Sequence, residues 1–425
     1  RNAHRASPAA LRASENRHDH ALCYGQTTKR QAGTQKIHRV RNGMYKSIDE
    51  LVERIDERNS DGKISTLIGV SIDKCFINSV ANINGTDLTK YKIIRRDDFA
   101  VSLMQVSRDS KIPIARLKDY DQAIMSPAYP IFRVRDTSVI LPEYLEMWFM
   151  RPEFDREAAF IAVGGVRGSM PWEEFAKMRL PVPSLEKQHQ VVRAYQIVAD
   201  RIAIKRRIND NLDSTMQAIY KNYFVDFTPF KSEPTCATKL GEIPASWSVC
   251  KFCDLCDLLN GRAYSQEELL DSGKYRVLRV GNFFTKNSWY YSDMELEDNK
   301  YCYPDDLLFC WSASFGLYIW NDVKTIYHYH IWKIDFSKTA PYYREYIFLY
   351  LKQELNKLSK EGHGSVMAHL TKSGVENLDI VSPPEEIIKQ FHNSIIPFIE
   401  HKKLVEKEVQ QLTELRESIL SKMVS

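Results

Sequence analysis

The stretch LPVPSLEKQHQVV at residues 180–192 returns in altered form as IVSPPEEIIKQFH at residues 380–392. Laid over one another without a gap, Pro183 falls on Pro383, Glu186 on Glu386, Gln190 on Gln390 and Val191 on Phe391. The match extends downstream, where Leu212 falls on Leu412 and Ile219 on Ile419, and upstream, where YPIFRV (129–134) falls on YHIWKI (329–334). With a small shift, YKIIRRDDF (91–99) also meets KYCYPDDLL (300–308). The chain therefore reads as two copies of one unit of roughly 200 residues, and its fold has to be built twice.

Each copy has two parts. The first (residues 44–182 and 231–382) mixes β-branched and aromatic runs such as AVSLMQV, YPIFRVR, RVLRVGNFF and TIYHYHIWKIDF with Gly, Asn-Gly and Asp breaks. Helical stretches, LPEYLEMWFMRPEFDREAAF and YYREYIFLYLKQELNKLSKE, interrupt these runs, which gives an α+β composition. The second part (183–230 and 383–425) reads as one long polar helix. Residues 185–224 put Val191, Tyr195, Val198, Ile202, Ile208, Leu212, Met216, Ile219 and Tyr223 at steps that are mostly three or four. Phe391, Ile395, Phe398, Val405, Val409, Leu412, Ile419 and Met423 repeat the pattern over 385–423.

An apolar stripe that narrow needs a partner stripe of similar length, and the other helix supplies it. About 40 residues at 1.5 Å each make a rod of roughly 60 Å. Antiparallel pairing places one mixed domain at each end and relates the halves by a pseudo-twofold axis. The expected interface sets Val198, Ile202, Ile208, Leu212 and Ile219 against Val405, Val409, Leu412 and Ile419. The alternative is that each helix packs on its own domain. Pro397 is expected to end or kink the early part of the second rod. Two related domains on a rigid spacer suggest a ruler, and the natural object for it is duplex DNA read at two sites.

The totals narrow the classes further. Residues 1–43 carry nine Lys/Arg against two Asp/Glu, a charge of +7, and with +4 overall the remainder stands at −3. The body is not basic, which counts against strong unaided binding to nucleic acid. The first 43 residues lack hydrophobic periodicity and an apolar core, so they read as a disordered or non-native leader rather than a secretory signal. No run of 18 apolar residues suggests a membrane span, and the eight cysteines form no disulfide framework, which fits a reduced cytoplasmic setting. Cys250, Cys253 and Cys256 have CxxCxxC spacing, with Cys236 as a possible fourth metal ligand, but WSVCKFCDLCDLLNG also reads as a strand or short helix in which cysteine is a small hydrophobe. The second reading is preferred.

Several motifs together carry a family resemblance over residues 44–425. They are VPSLEKQ and SPPEEIIKQ leading into the long helices, GEIPASWSV opening the second domain, and NGRAYSQEELLDSGKYRVLRVGNF within it. GGVRGSMPWEEFAKMRLPVPS and GSVMAHLTKSGVENLDIVSPP close the two domains. In their order and doubling the chain resembles the specificity subunit of a Type I restriction-modification system. The resemblance implies two target recognition domains, an antiparallel helix pair, methyltransferase subunits docked on the helices and a bipartite double-stranded DNA site. It also implies adenine methylation with S-adenosylmethionine and ATP- and Mg-dependent cleavage by a restriction subunit, all in partner chains. The 43 leading residues depart from the family pattern.

Catalytic motifs are missing from the sequence itself. An adenine methylase needs an Asp/Asn-Pro-Pro-aromatic loop, yet Pro383-Pro384 is followed by Glu385, and no phosphate loop of the GxxxxGK[ST] kind occurs. Asp97-Asp98 and Asp305-Asp306 suit a Mg-dependent nuclease on one reading and Asp turns on the other, which is preferred because no Lys and further acid follow on the next strand. His328 and His330 alternate with tyrosines and are expected on the opposite face of one strand. Base-reading and phosphate contacts are expected from loop residues: Arg108, Lys111, Arg167 and Ser169 in the first domain, Lys286, Asn287, Ser365 and Lys372 in the second. The reading is a non-catalytic DNA-recognition subunit; its rivals are a stand-alone Mg-dependent nuclease and a coiled-coil scaffold.

Overall fold

A computed structural model describes residues 44–79, 86–162, 168–284, 288–312, 315–360 and 371–424. Residues 1–43, expected to be a leader, lie outside the described residues. The chain divides into two compact units, one comprising residues up to Ile197 together with Leu415–Ser425, the other Val198–Glu414. Both mix helices and strands.

In the first unit the described strands are β1 (Met44–Ser47), β2 (Val52–Ile55), β3 (Ile68–Val70), β4 (Phe76–Asn78), β5 (Lys92–Arg95), β6 (Phe99–Val101), β7 (Ile114–Arg116), β8 (Gln122–Met125), β9 (Ile131–Val134) and β10 (Arg179–Val182). An antiparallel sheet runs β2-β9-β6-β7, while β1 pairs with β10, β5 with β8 and β3 with β4. All three residues of β6 are buried, as expected of an inner strand covered on both faces. Phe99 stacks on Phe132 of β9 at 5.3 Å, and Phe149, Phe154 and Phe175 from three helices close over them. The helical stretch expected at 141–160 forms two helices, Pro142–Phe149 and Pro152–Ile161, because Pro152 forces Arg151 into extended geometry.

In the second unit the described strands continue as β11 (Thr235–Thr238), β12 (Gly241–Pro244), β13 (Ser248–Lys251), β14 (Asp257–Asn260), β15 (Tyr275–Leu278), β16 (Tyr290–Ser292), β17 (Tyr301–Cys302), β18 (Leu307–Cys310), β19 (Gly316–Ile319), β20 (Thr325–Tyr327), β21 (Ile331–Asp335) and β22 (Asp379–Ser382). The sheet β14-β21-β18-β19 is antiparallel throughout and has the strand order of β2-β9-β6-β7. β13 pairs with β22 as β1 does with β10. β15 runs parallel to β20, and Leu67, next to β3, makes a parallel bridge to Ile124 of β8.

Helices Leu185–Phe224 and Glu385–Ser421 follow the two sheets. Within the second unit Lys205 pairs with Glu408, and Lys402 Nζ lies 2.7 Å from Asp213. These segments therefore run in opposite directions. Val198, Ile202 and Val405 are buried, while Ile208, Leu212 and Val409 are half-buried. In the first unit, half-buried Val191, Tyr195 and Ile419 join Leu420 and Met423 in the core. Pro397 does not end its helix. Both Pro397 and Asn393, whose carbonyl loses its amide partner, are exposed, so water can satisfy the freed oxygen.

Candidate nucleic-acid interface

The paired acids serve as turns. Asp97 and Asp305 both take left-handed backbone angles, with φ of 68° and 76°, a conformation Asp tolerates better than most residues. The next residue in each copy folds back on the chain: Asp98 accepts the Arg95 amide at 2.9 Å, and Asp306 accepts the Tyr303 amide at 2.9 Å. Cations then occupy the carboxylates. Asp98 receives Arg133 Nε at 2.9 Å, Asp97 pairs with Arg116, and Lys403 Nζ sits 2.5 Å from Asp305. Burial raises the Asp306 carboxyl above the usual range, with Lys333 3.6 Å away. Among the described residues no three His, Cys, Asp or Glu side chains converge on a metal position. The nuclease reading has no support.

In the cysteine triplet, Cys250 and Cys253 are half-buried and Cys256 is buried. Cys250 lies on β13, the helix Phe252–Leu255 follows, and Cys256 is fully buried in the core with its thiol donating to the Phe252 carbonyl. Burial pushes both the Cys250 and Cys256 thiols up.

Of the expected contact residues in the first unit, Arg108, Lys111 and Ser169 are described, and two are brought together. A Cβ added to Gly168 (φ +71°) would lie 2.4 Å from Ser107 Oγ and 3.4 Å from the Arg108 amide, so the segment carrying Ser169 lies against the one carrying Arg108. The Met170 amide donating to the Leu103 carbonyl at 2.8 Å locks that contact. Arg108 is largely exposed and engages Asp109 at 2.8 Å, and Lys111, three residues on, is exposed. Arg167, Lys286, Asn287 and Ser365 lie outside the described residues. Lys372 begins the helix Lys372–Glu376 and pairs with Glu376 at 3.6 Å.

The YHYH stretch departs from the expected strand. The chain leaves β20 at Tyr327, turns through His328–His330 and enters β21 at Ile331, with the Ile331 amide bonded to the His328 carbonyl at 3.0 Å. The tyrosines and histidines therefore do not lie on opposite faces of one strand. The turn is pinned from several directions. The Tyr329 amide donates to the Arg262 carbonyl and the Arg262 amide to the Tyr327 carbonyl, both at 3.0 Å, while Trp311 Nε1 donates to the Tyr329 carbonyl at 3.0 Å. Gly261 makes this approach possible, because a Cβ there would lie 2.4 Å from two carbonyl oxygens of the turn.

An aromatic cluster results. The Tyr329 and His330 rings are 3.9 Å apart, His328 and His330 4.8 Å, and Trp311 meets His330 edge-on at 5.4 Å. Burial, then the neighbouring His330 and Arg279, lower His328 to about 4, so its imidazole is neutral near pH 7. Exposed Arg279 lies over the Tyr290 ring at 5.0 Å. Sequence reading missed the cluster because its members come from separate segments; the only local signal was Gly261 before Arg262.

Residues 244–414 match the family described as Type I restriction modification DNA specificity domain. The Type I restriction enzyme MjaIX specificity subunit of Methanocaldococcus jannaschii is 24% identical over 67% of this chain and 68% of its own length. The chain is similar to the specificity subunits of Type I restriction-modification systems. A further relative, the HindI specificity subunit of Haemophilus influenzae, is 22% identical over 37% of this chain and 34% of its own. A crystal structure of a Type I S subunit from M. genitalium shares the specificity-subunit fold at 11% identity, with a TM-score of 0.51 over 91% of this chain and 97% of that one.

Proposed function

We infer that this specificity subunit reads a bipartite site on double-stranded DNA and directs adenine-N6 methylation and restriction by partner subunits, without being an enzyme itself. The observation carrying the bipartite part is the recurrence of one strand order, β2-β9-β6-β7 and β14-β21-β18-β19, in two units whose loops differ. That recurrence, with the matched Asp turns, supports an internal repeat and a pseudo-twofold. The opposed ion pairs Lys205–Glu408 and Lys402–Asp213 support an antiparallel coiled coil acting as spacer. The target recognition domains are assigned to residues 44–182 and 231–382, and the spacer helices to 183–230 and 383–425.

Methyltransferase subunits are the proposed partners on the helices, with a restriction subunit joining them. S-adenosylmethionine, ATP and Mg belong to those chains. No helix among the described residues is long and apolar enough to cross a membrane; the proposed setting is the cytoplasm. The test is a genome-wide map of N6-methyladenine in cells with and without this gene. Loss of a two-part motif with a fixed gap is expected, and an unchanged map would overturn the reading.

A further inference from the structure

We propose that the Tyr327–His330 turn of the second unit, together with Arg279, is a duplex-DNA contact: Tyr329 and the two imidazoles meet base edges, and Arg279 takes a backbone phosphate. This rests on the function inferred above. The first ground is rigidity. An exposed turn held by three hydrogen bonds of 3.0 Å from two other segments, and needing a glycine opposite to fit, presents its side chains already ordered. Such side chains lose little further freedom on binding.

The second ground is chemistry. Tyr329 is 40% exposed at the tip, with His328 and His330 half-buried beside it. A neutral imidazole offers one donor and one acceptor, and a phenol offers both, which matches the alternating donor and acceptor edges of the major groove. The third ground is charge. Among the described residues Arg279 contacts no carboxylate, and its guanidinium lies over the Tyr290 ring, so it is available to a phosphate. Glu268, which pairs with the Arg262 side chain at 2.6 Å, is neutralised by it. The fourth ground is divergence at a fixed place. In the first unit the turn between β8 and β9 reads Ser-Pro-Ala-Tyr-Pro (126–130), with no histidine and with Tyr129 half-buried. Equivalent points of the two units thus present different groups, as two different half-sites require.

The experiment uses the full chain co-expressed with its methyltransferase. Adenine-methylation motifs are mapped for wild type, Tyr329→Ala, Tyr329→Phe, His330→Ala and Arg279→Ala, and affinity for the wild-type site is measured against salt. The alanine variants at Tyr329 and His330 are expected to relax or change bases in one half of the motif only. Arg279→Ala is expected to weaken binding to all sequences alike and to reduce the salt slope by about one. Tyr329→Phe keeps the ring, and an unaltered melting temperature in it and in Arg279→Ala keeps the result independent of folding. A wild-type two-part motif with no change of bases or salt slope in any variant overturns the contact and leaves the function standing. A wild-type map that shows no motif dependent on this gene overturns both.

Discussion

Asp98 shows how much of this protein's acidic chemistry is spent on shape. Its buried carboxylate holds the Arg95 amide and the Arg133 guanidinium, so Asp98→Asn gives up charge-assisted bonds. A loss of about 1.5–3 kcal/mol in urea unfolding is expected, with the methylation motif unchanged. His328 supplies a pH signature. Burial keeps its folded pKa at about 4, below its ordinary 6.5, so the unfolded chain takes up a proton through a range in which the folded chain does not. The stability it contributes is intact above about pH 6.5 and is lost as pH falls toward 4. His328→Gln is expected to flatten that part of the stability curve, read from urea midpoints near neutrality and at about pH 5. The sequence exposed the turn role of the acids because Asp in a turn acts on its own backbone. The surroundings of His328 depend on Arg279 and on loop 260–262, which no local pattern connects to it.

Among the elements, the long helices were legible almost to the residue, because spacing of three and four is written locally. Pro397 was expected to end or kink its helix, and the helix does not end there. Its helix keeps going because the freed carbonyl faces solvent. Pro397→Ala is expected to restore one hydrogen bond and stabilise the fold by about 2 kcal/mol in urea, less than the roughly 3 kcal/mol of a proline in a helix interior. The strands were legible as apolar runs but not in their pairing, since register is decided across the sheet. Alternating Tyr and His looked like a strand and is a turn, because the hydrogen bonds that bend it come from Arg262 and Trp311. Gly261→Ala tests that bend: the added methyl overlaps two carbonyl oxygens, and a loss of about 1–3 kcal/mol is expected by thermal unfolding.

For the molecule as a whole, the reading of a doubling rests on the recurring lead into the long helix, whereas the contact loops share no pattern that sequence alone can align. If the helices set the distance between two recognition sites, inserting seven residues in both at matched positions adds about 10 Å. The gap in the methylated motif is then expected to grow by about three base pairs at 3.4 Å per step. An unchanged gap would show that something other than the helices measures it.

The division of the chain also has an order in time. Leu420 and Met423 lie in the same core as Phe99 and Phe132, although residues 198–414 intervene and form a unit of their own. A ribosome therefore delivers the first unit's sheet early and its last core residues late. Through the synthesis of the second unit, the first waits with part of its hydrophobic surface uncovered, and a nascent chain halted in that interval is the species most open to aggregation and to chaperones.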